Sequence, residues 1–141
     1  MYWHCRFTPP HAHTHQRYGC FCGASLIAPG WAITAAHCTE GLSGPGDISV
    51  LVNWDDLSEQ TNRPGEVHRV AEIIDHPSYD GRELTYDFSL LRLATVTTHK
   101  PIELDNGGFS FAGAEQTVAG WGSMDPDRVR THWLEGNVPR D

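Results

Sequence analysis

The sequence is poor in positive charge and contains no long hydrophobic run. Its 141 residues include 10 Lys and Arg against 18 Asp and Glu, which gives a formal net charge of −8. An acidic chain without a basic cluster is not expected to bind nucleic acid. No apolar stretch reaches the length that a helix needs to cross a bilayer. We therefore expect neither nucleic acid nor a membrane as a partner.

Cysteine is also scarce, with four residues in the chain. Cys20-Phe21-Cys22 together with the later pair His37-Cys38 could form a zinc site. Structural zinc sites, however, normally contain C-x₂₋₄-C knuckles and a more widely separated second pair, and the spacing here fits that pattern poorly. The sequence therefore predicts no metal and no other cofactor.

The N-terminal segment is rich in histidine and lacks the apolar core of a signal peptide. His11, His13 and His15 alternate, so on a strand they would share one face and could bind a transition metal. Pro9-Pro10 instead favours a loose, extended segment over residues 1–19, in which scattered histidines are solvated. We expect this second arrangement.

Glycine and proline, by contrast, are frequent, with 14 and 9 residues respectively. A chain with so many turn-forming residues is typical of an all-β fold. The length is ordinary for one domain. Apolar residues make up 39% of the chain and charged residues 20%, which supports a folded core.

One stretch, Cys22–Cys38, reads C-G-A-S-L-I-A-P-G-W-A-I-T-A-A-H-C and organises the rest. Ala24–Ala28 is predicted to be a short strand because it contains Leu and Ile. Pro29-Gly30 predicts a turn, since proline presets φ and glycine accepts positive φ. Trp31–Thr34 is a second predicted strand, and Ala35–Cys38 is long enough for only one helical turn.

Two further strands are predicted from apolar and β-branched residues. Ile48–Trp54 has an apolar centre. In Glu66–Ile74 the spacing of Val67, Val70 and Ile73 would also suit a helix, but the β-branched content and the proline that follows favour a strand.

Three motifs resemble those of the chymotrypsin-like (trypsin-type) serine proteases. Thr34–Cys38 reads T-A-A-H-C, as around the family's catalytic histidine. Tyr86–Leu93 reads Y-D-F-S-L-L-R-L, which resembles the family's aspartate motif. Gln116–Gly122 resembles the G-W-G strand of the family's second barrel, and Thr131–Pro139 resembles the strand that follows it.

The resemblance implies an all-β fold of two Greek-key barrels, the first near complete and the second only begun. The implied organisation is an atypical His-rich segment at residues 1–20, a first barrel at 21–100, and a connector with the start of the second barrel at 101–141. The implied activity is hydrolysis of peptide bonds, and the implied partner is a polypeptide substrate or another protein.

The resemblance also implies two catalytic roles. His37 would be the general base, and Asp87 the carboxylate that orients its imidazole. Without the motifs, His37 would be interpreted as a structural histidine beside a cysteine, and Asp87 as a surface residue at the start of a strand.

A Cys22–Cys38 disulfide is implied in the same way, because these cysteines flank the histidine segment as they do in the family. Such a bond is typical of an oxidising, extracellular compartment. Cys5 and Cys20 are left over and could pair with each other.

The nucleophile motif of the family, G-D-S-G-G-P, does not occur in the sequence. Gly41–Pro45 is superficially similar but precedes Asp87, whereas the family order is His, Asp, Ser, so we interpret it as a turn. We expect a fragment or truncated product that is inactive alone, so whether the chain acts as an enzyme stays open. The alternative is a non-catalytic homologue that binds a protein partner. The eight serines, none in the family setting, are Ser25, Ser43, Ser49, Ser58, Ser78, Ser89, Ser110 and Ser123.

Overall fold

The chain is described by a computed structural model that forms two compact units. The units are Met1–Trp54 with Pro64–Ile102, and Asp55–Arg63 with Glu103–Asp141. The described residues are 2–6, 19–53, 65–108, 116–120 and 134–138, and side chains are described for 20–53 and 65–108. No helix among these residues is long and apolar enough to span a membrane.

The described part of the first unit is a closed antiparallel barrel. Its strand order is β1-β2-β3-β6-β5-β4, and pairing of β1 with β4 closes it. The all-β prediction is therefore confirmed. The strands are β1 Tyr2–Arg6, β2 Gly19–Ala28, β3 Trp31–Thr34, β4 Ile48–Val52, β5 Glu66–Asp75 and β6 Ser89–Leu93, with 3-10 turns at Ala36–Cys38 and Pro45–Asp47.

Strand β1 is a correction to the sequence prediction of a loose segment over residues 1–19. Tyr2–Arg6 pairs with β2 on one side and β4 on the other. Its sequence, Y-W-H-C-R, has no clear apolar alternation. The strand forms because β2 and β4 supply its backbone hydrogen-bond partners. That pairing cannot be inferred from the five residues of β1 alone. His11, His13 and His15 lie outside the described residues.

The interior of the barrel follows the period-two pattern of its strands. In β6, Leu91 and Leu93 are buried while Arg92 between them is exposed, as alternation requires. In β5 the buried residues are His68 and Val70, and the strand prediction for this segment is confirmed. Strand β4 is buried along its whole length. The core cluster comprises Ala24, Leu26, Ala32, Ile48, Val50, Val52, Val70, Leu91 and Leu93.

In the second unit, the two described strands form an antiparallel pair. Strand β7 spans Gln116–Gly120 and strand β8 spans Leu134–Val138. Both strands fall inside the segments that the sequence predicted. Residues 121–133, between the two strands, lie outside the described residues.

Candidate active site

His37 lies in the 3-10 turn Ala36–Cys38, which is separated from β3 by the single residue Ala35. The turn is closed by two backbone bonds, from the Cys38 N–H to the Ala35 carbonyl at 3.2 Å and from the Thr39 N–H to the Ala36 carbonyl at 2.9 Å. Ala35 and Ala36 are small, so the turn packs closely against the barrel. The imidazole of His37 is left on the outside, with 52% of its side chain exposed.

A disulfide between Cys22 and Cys38 fastens this turn to β2, with the two Cα atoms 6.2 Å apart. The Thr34 hydroxyl donates to the Gly23 carbonyl at 2.8 Å and adds a second tie between β2 and the end of β3. Cys20 is also disulfide-bonded. The strand register sets Cys5 opposite Cys20.

Asp87 stands just before β6 and contacts His37 twice. The distance from His37 Nδ1 to Asp87 Oδ2 is 2.7 Å. The His37 backbone N–H donates to the other carboxylate oxygen, Oδ1, at 2.8 Å. The two residues are 50 positions apart in the sequence. One carboxylate therefore fixes both the ring and the backbone of His37.

These contacts determine which nitrogen of His37 carries the proton. The imidazole and then the backbone N–H of His37 hold the pKa of Asp87 below its usual range, so this carboxyl is an ionised acceptor at neutral pH. An acceptor at Nδ1 places the proton of the neutral ring on that nitrogen. Nε2 is then a lone-pair base, and no described residue hydrogen-bonds to it. The Asp87 side chain is only 20% exposed, so it is shielded while the imidazole is accessible.

A loop beside the site was not assigned a function from the sequence. Its His76 ring stacks on Tyr86 with centroids 4.8 Å apart and tilts against Phe88 at 4.6 Å. The Tyr79 hydroxyl donates to Glu40 Oε2 at 3.1 Å. The sequence does show an aromatic residue on each side of Asp87. It does not indicate that these two residues contact the ring of His76.

The cysteines beside His37 are poorly suited to bind a metal ion. Cys22, His37 and Cys38 place their ligand atoms within 4.8 Å of one another. Both sulfurs are in the disulfide, however, and metal binding requires thiolates. The donor set therefore does not fit a zinc ion.

Ser43 lies in the segment that superficially resembles a nucleophile motif. Its N–H donates to Asp47 Oδ2 at 2.7 Å, and Gly41 has a φ of 77°. This is turn geometry, which confirms the interpretation of Gly41–Pro45. No described serine hydrogen-bonds to His37. Ser58, Ser110 and Ser123 lie outside the described residues.

Comparison with known proteins gives consistent matches. A family model described as Trypsin matches residues 8–139. Trypsin of Saccharopolyspora erythraea is 37% identical over 123 residues, which covers 84% of this chain and 52% of that protein. Trypsin Blo t 3 of Blomia tropicalis is 31% identical over 121 residues, which covers 82% of this chain and 44% of that protein. The chain thus spans about half the length of these curated relatives.

A solved structure shares the fold. The structure of the VesB protease of Vibrio cholerae matches with a TM-score of 0.78 at 25% sequence identity. The match covers 98% of this chain and 40% of that chain.

Proposed function

The chain belongs to the trypsin family and has its chymotrypsin-like all-β fold, and we propose that it supplies the base and the orienting carboxylate of a Ser-His-Asp triad for peptide-bond hydrolysis. The observation that carries this proposal is the contact of 2.7 Å between His37 Nδ1 and Asp87 Oδ2, with the imidazole exposed. That arrangement leaves Nε2 as the only ring nitrogen able to accept a proton from a nucleophile.

In the proposed mechanism His37 acts twice. Nε2 removes the proton of a serine hydroxyl as that oxygen attacks the substrate carbonyl, and the imidazolium then gives the proton to the leaving amine. Asp87 holds the tautomer and stabilises the imidazolium without becoming protonated itself. The two contacts of Asp87 suit this role because they prevent rotation of the ring.

The nucleophile is the missing component. The 141 residues contain no G-D-S-G-G-P run, which in the family also positions the oxyanion-hole N–H groups. We propose that the chain alone does not hydrolyse peptides and requires a serine-bearing second barrel. Loss of the serine from a triad lowers kcat by about 10⁶, and here the oxyanion hole is absent as well.

Further parts of the proposal follow from family membership. The substrate is a polypeptide, and the setting is extracellular, in keeping with the Cys22–Cys38 disulfide. We further propose residues 1–20 as an atypical N-terminal segment that contributes β1 and the start of β2 to the first barrel, 21–100 as the rest of that barrel, and 101–141 as a connector with the start of the second barrel.

A second candidate function is binding of a protein partner without catalysis. It is favoured by large apolar side chains that are exposed beside the site. Leu84, Tyr86 and Phe88 are 56%, 58% and 41% exposed. Exposed apolar patches often mark interaction sites.

The proposal is tested by assaying the purified chain with mixed peptide substrates and a serine-directed phosphonylating probe. We expect neither turnover nor covalent labelling. Labelling of any serine, together with turnover that disappears in His37→Ala, would overturn the proposal that the chain alone is inactive. It would also reveal an unrecognised nucleophile. The matched control is Ser43→Ala, which removes the serine of the superficially similar turn.

A further inference from the structure

Two hydroxyl side chains stand at the same sequence distance from the two members of the His37–Asp87 pair. Thr39 follows His37 by two residues, and Ser89 follows Asp87 by two. The Thr39 hydroxyl donates to Asp75 Oδ1 at 2.8 Å, and the Ser89 hydroxyl donates to the same oxygen. The two hydroxyl oxygens are 3.1 Å apart. One carboxylate oxygen therefore joins the segment that carries the histidine to the segment that carries the aspartate.

Burial makes these bonds important to the geometry of the pair. Thr39 is 5% exposed and Ser89 is fully buried. A buried hydroxyl without a partner is destabilising, so both side chains are held where an acceptor exists. Asp75 is the last residue of β5 and lies opposite Ser89 in the strand register. The barrel itself therefore fixes the position of the acceptor.

The Thr39 side chain also belongs to the turn that presents His37. Its hydroxyl lies 2.8 Å from the Ala36 carbonyl as well as from Asp75. The same carbonyl accepts the backbone N–H groups of Thr39 and Glu40. A displacement of Thr39 would therefore be transmitted to the 3-10 turn, and with it to the ring of His37.

We propose that Asp75 is a positioning residue, which sets the separation of His37 and Asp87 by accepting hydrogen bonds from Thr39 and Ser89. Its hydrogen bonds are to Thr39 and Ser89, and it acts on the pair through them. This inference rests on the proposed function in that it takes the His37–Asp87 pair as catalytic. The contacts themselves can be tested without any proteolysis.

The pKa of Asp87 depends on its contacts with His37, so titration of Asp87 measures whether the pair is intact. The hydrogen bonds from His37 hold the pKa of Asp87 below the ordinary 3.8. If Asp75→Ala loosens the pair, the pKa of Asp87 should rise toward that value. Removal of a nearby negative charge would by itself act in the opposite direction, because it makes the Asp87 carboxylate easier to form. A rise is therefore a signature of lost positioning.

The experiment is ¹³C carboxyl NMR titration of Asp87 in the full chain and in Asp75→Ala. Glu72→Ala is the matched control, because it removes the same charge from the same strand while its carboxylate contacts Arg92 instead. We expect the Asp87 midpoint to rise in Asp75→Ala and not in Glu72→Ala. Asp75→Asn, which keeps an oxygen able to accept both hydroxyls, should return the midpoint toward that of the parent chain.

Thr39→Val supplies an independent test, since it removes one donor and leaves the charges unchanged. It also keeps the proposal testable if Asp75→Ala fails to fold. The inference is overturned if the Asp87 midpoint stays unchanged or falls in folded Asp75→Ala or Thr39→Val. This holds even if the variant is less thermally stable, because Asp75 would then be a structural residue only. Serine labelling of the parent chain would contradict the proposed function alone, so the two failures are distinguishable.

Discussion

The Asp87 carboxylate binds both the imidazole Nδ1 and the backbone N–H of His37, one on each oxygen. The ring contact alone would leave the 3-10 turn free to shift, and the backbone contact alone would leave the ring free to rotate. Their combination aims Nε2 outward from the barrel. The disulfide at Cys38, the next residue, fastens the same turn from the other side.

The stability that this contact contributes should depend on pH. The pKa of Asp87 lies below the ordinary 3.8, first because of the imidazole and second because of the backbone N–H of His37. A carboxyl whose pKa falls on folding contributes stability above its unfolded pKa, and that contribution is lost as pH falls through the folded pKa. The difference in unfolding free energy between the chain and Asp87→Ala should therefore shrink below pH 3.8.

Urea unfolding at pH values on both sides of 3.8 checks this expectation, with Glu83→Ala as an exposed acidic control. If Asp87→Ala and the parent chain differ by the same amount at either pH, the contact does not exist in solution.

The Cys22–Cys38 bond should contribute substantially to stability. It closes a loop with a sequence separation of 16. The chain-entropy model gives about 3 kcal/mol for a loop of about this size. Replacing both cysteines by alanine should lower the free energy of unfolding by about that amount, measured in urea without reductant so that the disulfide at Cys20 persists. Unchanged stability of the double variant would mean that these cysteines are not joined.

Tyr79 should titrate at unusually high pH. Burial, followed by the hydrogen bond to Glu40 and the charge of that carboxylate, raises the pKa of Tyr79 to about 12. The difference between the phenolate absorbance titrations of the chain and of Tyr79→Phe should therefore contain a step near 12 instead of near the ordinary 10.0. A step near 10.0 that is lost in Tyr79→Phe would instead show that Tyr79 faces solvent.

Gly81→Ala should disturb the same contact. A Cβ at Gly81 would lie 2.9 Å from Glu40 Oε1, which is closer than real Cβ atoms approach. Because the obstacle is the end of a flexible side chain, we expect Glu40 to move and stability to change little. The absorbance step of Tyr79 should then move to lower pH. A step that stays in place would mean that the Glu40–Tyr79 bond tolerates the methyl group.

Strands β3, β4 and β5 were predictable from local patterns to within a few residues at their ends, whereas β2 begins at Gly19, five residues before the predicted Ala24. Trp31–Thr34 and the turn at Pro29-Gly30 are confirmed, because proline, glycine and apolar residues act locally. Strand β1 was missed because its pairing partners, β2 and β4, are distant in the sequence. Membership of the trypsin family was predicted from three short motifs and is confirmed.

The site was only partly predictable. His37 and Asp87 were selected by resemblance, since nothing in a separation of 50 residues indicates contact. The bonds of Asp75 to Thr39 and Ser89 span 36 and 14 residues and belong to no motif. Barrel closure brings these residues together, so no pattern along the chain could reveal them.

The central claim is that His37 and Asp87 form the base and the orienting carboxylate of a serine protease triad. Its most direct test is a chimera that joins this chain to the part of the trypsin of Saccharopolyspora erythraea that the match leaves uncovered, which we expect to supply the serine. Serine-directed labelling of the parent chimera shows that its triad is assembled, and kcat on a peptide substrate, per mole of folded protein, is compared between the parent and two variants. We expect a fall of about 10⁴ for Asp87→Asn and of about 10⁶ for His37→Ala. A labelled chimera in which His37→Ala hydrolyses peptides as fast as the parent would contradict the account.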